Sequence, residues 1–159
     1  MLSLEGVPAF YIHSLFGTRN DYALYKQTNQ NRSLNRGKIK ISGIDLSNES
    51  EPQSYIFLQL KKLMLIRKKQ PAFHPNAVQF TLHLGKKLYG IWRQSLDKRQ
   101  SIFCISNLTD EAVNLSLLDL NLIGFDHWRD IITEIEIDDI TSEIELRPYQ
   151  TMWLTNLQD

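Results

Sequence analysis

Cysteine is almost missing from this chain of 159 residues, and net charge and long apolar runs are missing too. Cys104 stands alone, which excludes an internal disulfide and a thiolate metal cluster. Set between Phe103 and Ile105, it reads as a small buried hydrophobe rather than a nucleophile. Lys plus Arg number 18 and Asp plus Glu number 18, so no electrostatic argument points to nucleic acid or an anionic membrane. No run approaches the roughly 18 apolar residues of a membrane span. Met1 to Gly6 lacks the basic and apolar regions of a secretion signal, so a cytoplasmic location is expected. Without that signal, the glycosylation-type tripeptides at Asn48, Asn107 and Asn114 read as chance.

Recognisable catalytic constellations are also missing. No glycine loop of Walker or Rossmann type and no nucleophile elbow is present. His13, His74, His83 and His127 are scattered without ligand-like pairing. Asp21, Asp45, Glu49 and Glu51 show no spacing that singles out a glycosidase pair. The expectation is therefore no catalytic residue, no metal and no cofactor in this chain.

What is present falls into two parts. Val7 to Ile12 is an apolar, β-branched and aromatic run with Pro8 near its start, which predicts a strand buried on both faces of a parallel sheet. From His13 to Arg36 the periodicity gives way to a long polar loop, of the kind that binds ligands at the carboxyl ends of parallel strands. Ser50 with Gln53 fits a capping box, and Ile56, Leu60, Leu63 and Met64 then fall at helical spacing. Lys61, Lys62, Arg67, Lys68 and Lys69 gather near that helix's negative end, where the macrodipole and solvation account for them. Pro71 and Pro75 stop the helix.

Beyond His74-Pro75-Asn76 the pattern alternates. Val78 to Leu84 and Leu88 to Arg93 flank a hairpin turn at Gly85, and further strands are predicted over Ser101 to Leu108, Ala112 to Leu118, Trp128 to Thr133, Ile140 to Leu146 and Gln150 to Thr155. Repetition at this spacing suggests an antiparallel sandwich. Trp92, Trp128 and Trp153 then read as core residues, with sugar stacking as the other possibility. In the loop, Arg32 and Arg36 among Asn29, Asn31 and Asn35 form a dense set of directional donors and acceptors, suited to sugar hydroxyls or phosphate. The other reading is a solvated loop.

The run Gly6 to Asp21, followed by Asn31-Arg32-Ser33-Leu34-Asn35-Arg36, resembles the last barrel strand and following loop of glycoside hydrolase family 13 enzymes. The nearest resemblance is to the sucrose phosphorylase branch, which includes glucosylglycerate phosphorylases. Pro71 to Ala77 is similar to that branch's junction into its C-terminal β domain, and Leu146 to Leu154 to the domain's closing strand. The resemblance implies an α/β fragment, the last strand and helix of a TIM barrel, over residues 1–74. An all-β antiparallel sandwich domain follows over 75–159. It implies a retaining glucosyltransferase acting on sucrose or a related α-glucoside, with phosphate as a partner of the full-length parent. The parent's Asp nucleophile, Glu acid/base and stabilising Asp would lie on earlier barrel strands, since a barrel takes about 250 residues.

Carried over by the resemblance, Arg32 matches the arginine that binds the glucosyl unit, and Asn20 and Asp21 match the same loop. The chain alone is then expected to be inactive, and to seek its missing barrel or associate with itself. The rival expectation is a stand-alone, non-catalytic carbohydrate- or partner-binding β module. A split enzyme completed by a second polypeptide is a third.

Overall fold

Strand pairing begins at Val78, where the helical pattern gives way to alternation. The computed structural model describes residues 1–120, 127–139 and 141–156. Among them lie β1 (Val78–Leu82), β2 (Leu88–Gln94), β3 (Ser101–Asn107), β4 (Val113–Ser116), β5 (Trp128–Asp130), β6 (Ile135–Ile137), β7 (Glu143–Leu146) and β8 (Thr151–Thr155). Gly85, at φ +81°, supplies the left-handed turn between β1 and β2. The main sheet runs β1-β2-β3-β8-β5-β6 with antiparallel pairs throughout, and β4 pairs with β7 in a second sheet. The sandwich is thus lopsided, six strands against two. Ile140, which opens one of the predicted strands, lies outside the described residues.

Both faces of the main sheet are covered, which explains why β3 reads as a continuous apolar run. Ile102, Phe103, Cys104 and Ile105 are each at most 5 % exposed, and alternation sends them to opposite faces. Phe103 and Ile105 join Leu154, Met152 and Trp128 in a core closed by Leu115 of β4 and Leu146 of β7. Truncating a side chain as enclosed as Leu146 to Ala costs about 2–5 kcal/mol. On the other face, Phe73 of the 3₁₀ turn Pro71–Phe73 meets Trp153 edge-on at 4.8 Å. Gln100, wholly buried, fastens that turn: its Oε1 accepts from Ala72 N at 2.9 Å while Nε2 donates to Thr155 Oγ1 at 3.1 Å and Gln70 Oε1 at 2.5 Å.

Cα packing divides the chain into one unit of Ala9–Leu65 and another of Met1–Pro8 with Ile66–Asp159. The first contains α1 (Ile12–Leu15), α2 (Tyr22–Thr28) and a 3₁₀ turn over Asn31–Asn35; the helix α3 spans Pro52–Lys68. Proline starts α3, where its missing N–H costs nothing, and the Glu51 carbonyl accepts the first bond from Tyr55 N at 2.9 Å. The capping box expected at Ser50 is displaced accordingly, with Ser50 N donating to Asn48 Oδ1.

Two expectations for this part are corrected. The strand predicted over Val7 to Ile12 does not form: the backbone runs without sheet pairing to Tyr11, then turns into α1. A strand exists through its neighbours' backbone groups, and no described strand lies beside this one, so Val7 stays 79 % exposed. The loop from His13 to Arg36 is not structureless either, since α2 and the Asn31–Asn35 turn occupy it. No described helix is long and apolar enough to cross a membrane.

Candidate functional site

Local hydrogen bonds, rather than a core, shape the loop that carries the candidate residues. Asp21 caps α2 by accepting from Leu24 N at 2.8 Å, and its own N–H donates to Leu34 O at 2.6 Å. At the other end Asn29 takes the left-handed conformation, φ 50°, and ends the helix through a bond to Tyr25 O. Thr28 Oγ1 then reaches Ser33 Oγ at 2.6 Å, and Ser33 is buried within the following turn. Tyr11 Oη donates to Asn35 O at 2.8 Å, which closes the ring. His13 Nδ1 lies 2.6 Å from Thr18 Oγ1 and so serves the same local framework.

The result is an open cavity of about 590 Å³, lined by Asn20, Asn31, Arg32, Asn35 and Arg36 with Tyr11 and Leu34. Arg32 is held by one bond, Nε to Gln30 Oε1 at 2.7 Å. Its terminal nitrogens and the whole Arg36 guanidinium have no hydrogen-bond or ion-pair partner among the described residues. Two guanidiniums with no carboxylate in the lining favour neutral polar or anionic oxygen ligands, and the asparagine amides add donors and acceptors for hydroxyls. Arg32 and Asn20 are therefore brought together. Asp21 is not, because its carboxylate is committed to the helix cap and faces Gly37, whose added Cβ would lie 3.1 Å from Oδ2. Arg36 belongs with the lining, and the repeated Asn-Arg pair, Asn31-Arg32 and Asn35-Arg36, already marked it in the sequence.

A second cavity, about 740 Å³, opens in the β unit, where Ile135, Ile137, Ile144 and Met152 meet Glu136, Asp138, Glu145 and Arg147. Nothing in the sequence pointed to it, because β6 is too short to show periodicity. Trp128 and Trp153 are 3 % and 2 % exposed, so neither offers a ring face to a sugar. Among the described residues no group of three or more His, Cys, Asp or Glu side chains could hold a metal.

No protein-family model matches the chain. In sequence it is similar to glucosylglycerate phosphorylases: 32 % identical over 97 % of this chain to that of Escherichia coli, and 31 % over 97 % to that of Allomeiothermus silvanus. It spans about a quarter of the length of these relatives, 26 % and 25 %. In fold it is similar to Bacillus licheniformis trehalose-6-phosphate hydrolase, at TM-score 0.66 and 18 % identity, over 97 % of this chain and 36 % of that one. It is also similar to AmyP in complex with maltose, at TM-score 0.58 and 17 % identity, over 66 % of this chain and 21 % of that one.

Proposed function

The chain belongs to glycoside hydrolase family 13, in the sucrose phosphorylase and glucosylglycerate phosphorylase branch, and we propose that it forms part of the donor site of a retaining glucosyl phosphorylase. In that reading residues 1–74 are the end of the (β/α)₈ barrel and residues 75–159 its C-terminal β domain. Val7 to Ile12 becomes a strand once barrel neighbours supply backbone partners. The nucleophile, acid/base and stabilising carboxylates come from outside this chain, which alone does not transfer glucose. Sucrose or glucosylglycerate is the donor, phosphate the acceptor, and the missing barrel the partner. A sugar phosphate made by phosphorolysis is retained inside a cell, which supports a cytoplasmic location.

The observation that carries this reading is the cavity in which Arg32 and Arg36 lack any carboxylate partner. Arg32 hydrogen-bonds the glucosyl hydroxyls through its terminal nitrogens, with Gln30 fixing the plane of the fork. Asn20 contributes from the opposite side of the sequence loop, and Asp21 holds the loop's shape rather than touching sugar. Arg36, unpaired in the same cavity, is suited to an anionic oxygen. The test is Arg32→Ala in the full-length enzyme: kcat/KM for the glucosyl donor should fall about 10–100-fold, the loss of one or two charge-assisted bonds. Unchanged kinetics would remove Arg32 from the site.

The cavity of about 740 Å³ favours a second reading, a β module that binds a carbohydrate or protein partner by itself. Saturable sugar binding to the 159-residue chain that is lost in Ile135→Ser, at an exposed position of that cavity, and retained in Arg32→Ala, would favour it over the first.

A further inference from the structure

Two arginines lie inside the β unit with no acidic partner. Arg93 is wholly buried and Arg67 is 8 % exposed, and no described carboxylate lies within ion-pair distance of either. Arginine does not shed its proton in proteins, so both charges must be met in place. Backbone carbonyls meet them. Arg67 donates to Leu2 O, to Gly6 O at 3.1 Å and to Phe73 O at 3.2 Å. Arg93 donates to Ser3 O at 3.2 Å, His74 O at 3.0 Å and Ala77 O at 3.3 Å. The two guanidinium carbons sit 5.0 and 5.9 Å from the centre of the Phe73 ring, which serves as a shared cation-π surface.

Half of these acceptors belong to Leu2, Ser3 and Gly6, far upstream in sequence. The same segment is fixed by its own amides, Glu5 N to Gln79 Oε1 at 2.9 Å and Gly6 N to Pro75 O at 3.3 Å. None of these bonds is a strand ladder, and none reads a side chain of the segment. Desolvation and, at Arg93, the neighbouring Arg67 both press against the charged forms, with Glu5 the acidic group that favours the Arg93 charge and the Cys104 thiol facing both. The segment's carbonyls are therefore what makes burial of two like charges tolerable.

We infer that Arg67, Phe73 and Arg93 form a socket for peptide backbone, and that Leu2–Gly6 is its resident ligand, a strap that completes the β unit. The socket takes the turn and bend of this segment through its carbonyls, with the Leu2 side chain buried beside them. Withdrawal of the strap strands both charges, so strap and sheet act as one cooperative body although residues 9–65 intervene. This holds whether or not the chain handles sugars.

Amide hydrogen exchange on the 159-residue chain tests it. The Glu5 and Gly6 amides should exchange as slowly as other well-protected amides of the unit. In Arg67→Met they should exchange at least about 100-fold faster, the loss of two charged hydrogen bonds to the strap, while Cys104 and Ile105 in β3 keep their protection. Arg67→Lys, which keeps the charge but not the fork, should fall between. Glu5 and Gly6 amides that exchange like unprotected chain in the parent sequence would overturn the inference, as would protection unchanged in Arg67→Met. Should Arg67→Met loosen the sheet as well, Arg67→Lys, which keeps a charged donor in place, still decides the question through the same two amides.

Discussion

Asn107 is the side chain whose loss should show most clearly how the two sheets are joined. It is 2 % exposed at the end of β3. Its Nδ2 reaches Glu111 O at 2.7 Å, Arg147 O at 3.0 Å and Leu146 O at 3.2 Å, while Oδ1 accepts from Thr109 N at 2.9 Å and Thr109 Oγ1 at 2.8 Å. It thereby ties the main sheet to the turn before β4 and to the end of β7. In Asn107→Ala the Thr109 hydroxyl can fall back on Glu111 O at 3.2 Å, and the two Nδ2 hydrogens can fill only two full bonds. About three bonds are then lost, at roughly 1 kcal/mol each. The expected cost is about 3 kcal/mol, or a fall in Tm of about 6–12 °C, measured by urea and thermal unfolding followed through tryptophan fluorescence.

Asn107→Asp sharpens the test, because it sets a carboxylate against three carbonyl oxygens. Burial and those oxygens favour the neutral acid, raising its folded pKa above the ordinary value of about 3.9. The variant should therefore be most stable below about pH 3.9 relative to Asn107→Ala and lose that advantage as pH rises through the raised value. A cost below about 1 kcal/mol for Asn107→Ala, or no pH dependence in Asn107→Asp, would refute the view that this amide joins the sheets.

Burial pushes the Cys104 thiol well above its ordinary range, against the weaker pull of Arg93 and Arg67; folded protein should resist thiol reagents that label the unfolded chain fully. Since only the unfolded state then releases that proton, stability should decline as pH rises above about 8.5, and Cys104→Ala should flatten the decline. Asp21→Ala should destabilise α2 by about 1 kcal/mol, seen as faster exchange of the Leu24 amide with the β3 amides unaffected.

Periodicity made the β part readable where strands have one consistent neighbour on each side. The hairpin at Gly85, β3, β4 and β8 lie close to their predicted spans, and Trp128, Trp153 and Cys104 are buried as their apolar surroundings required. β6 was missed because Ile135-Glu136-Ile137 is too short to establish alternation. The error at Val7 to Ile12 has a different origin: composition reports an affinity for a sheet, while strand formation needs neighbours. Within the supposed loop, Asp21 three residues before Leu24 was a cap signal hidden by the polar density around it. Asn107 passed for a chance glycosylation tripeptide, since nothing local reveals that its partners are Leu146 and Arg147. Arg32 and Arg36 were legible as a pair because they stand four residues apart in one short turn, whereas Asn20 entered only through the resemblance.

That last feature bears on how such a chain can change over time. α1 and α2 bury no residue, and Arg32, Arg36 and Asn20 are all exposed on a framework of turns closed by other groups, the backbone and the side chains of Tyr11, Asp21, Thr28 and Ser33. Side chains placed this way can be exchanged at little cost in folding free energy, within about 0.5 kcal/mol for ordinary surface positions. The residues that hold the sheet, such as Arg93, Gln100 and Asn107, belong to the other unit and make their hydrogen bonds within it. Under the proposed donor-site reading, selectivity can therefore drift by single substitutions in the loop while the β unit stays under separate and stricter constraint.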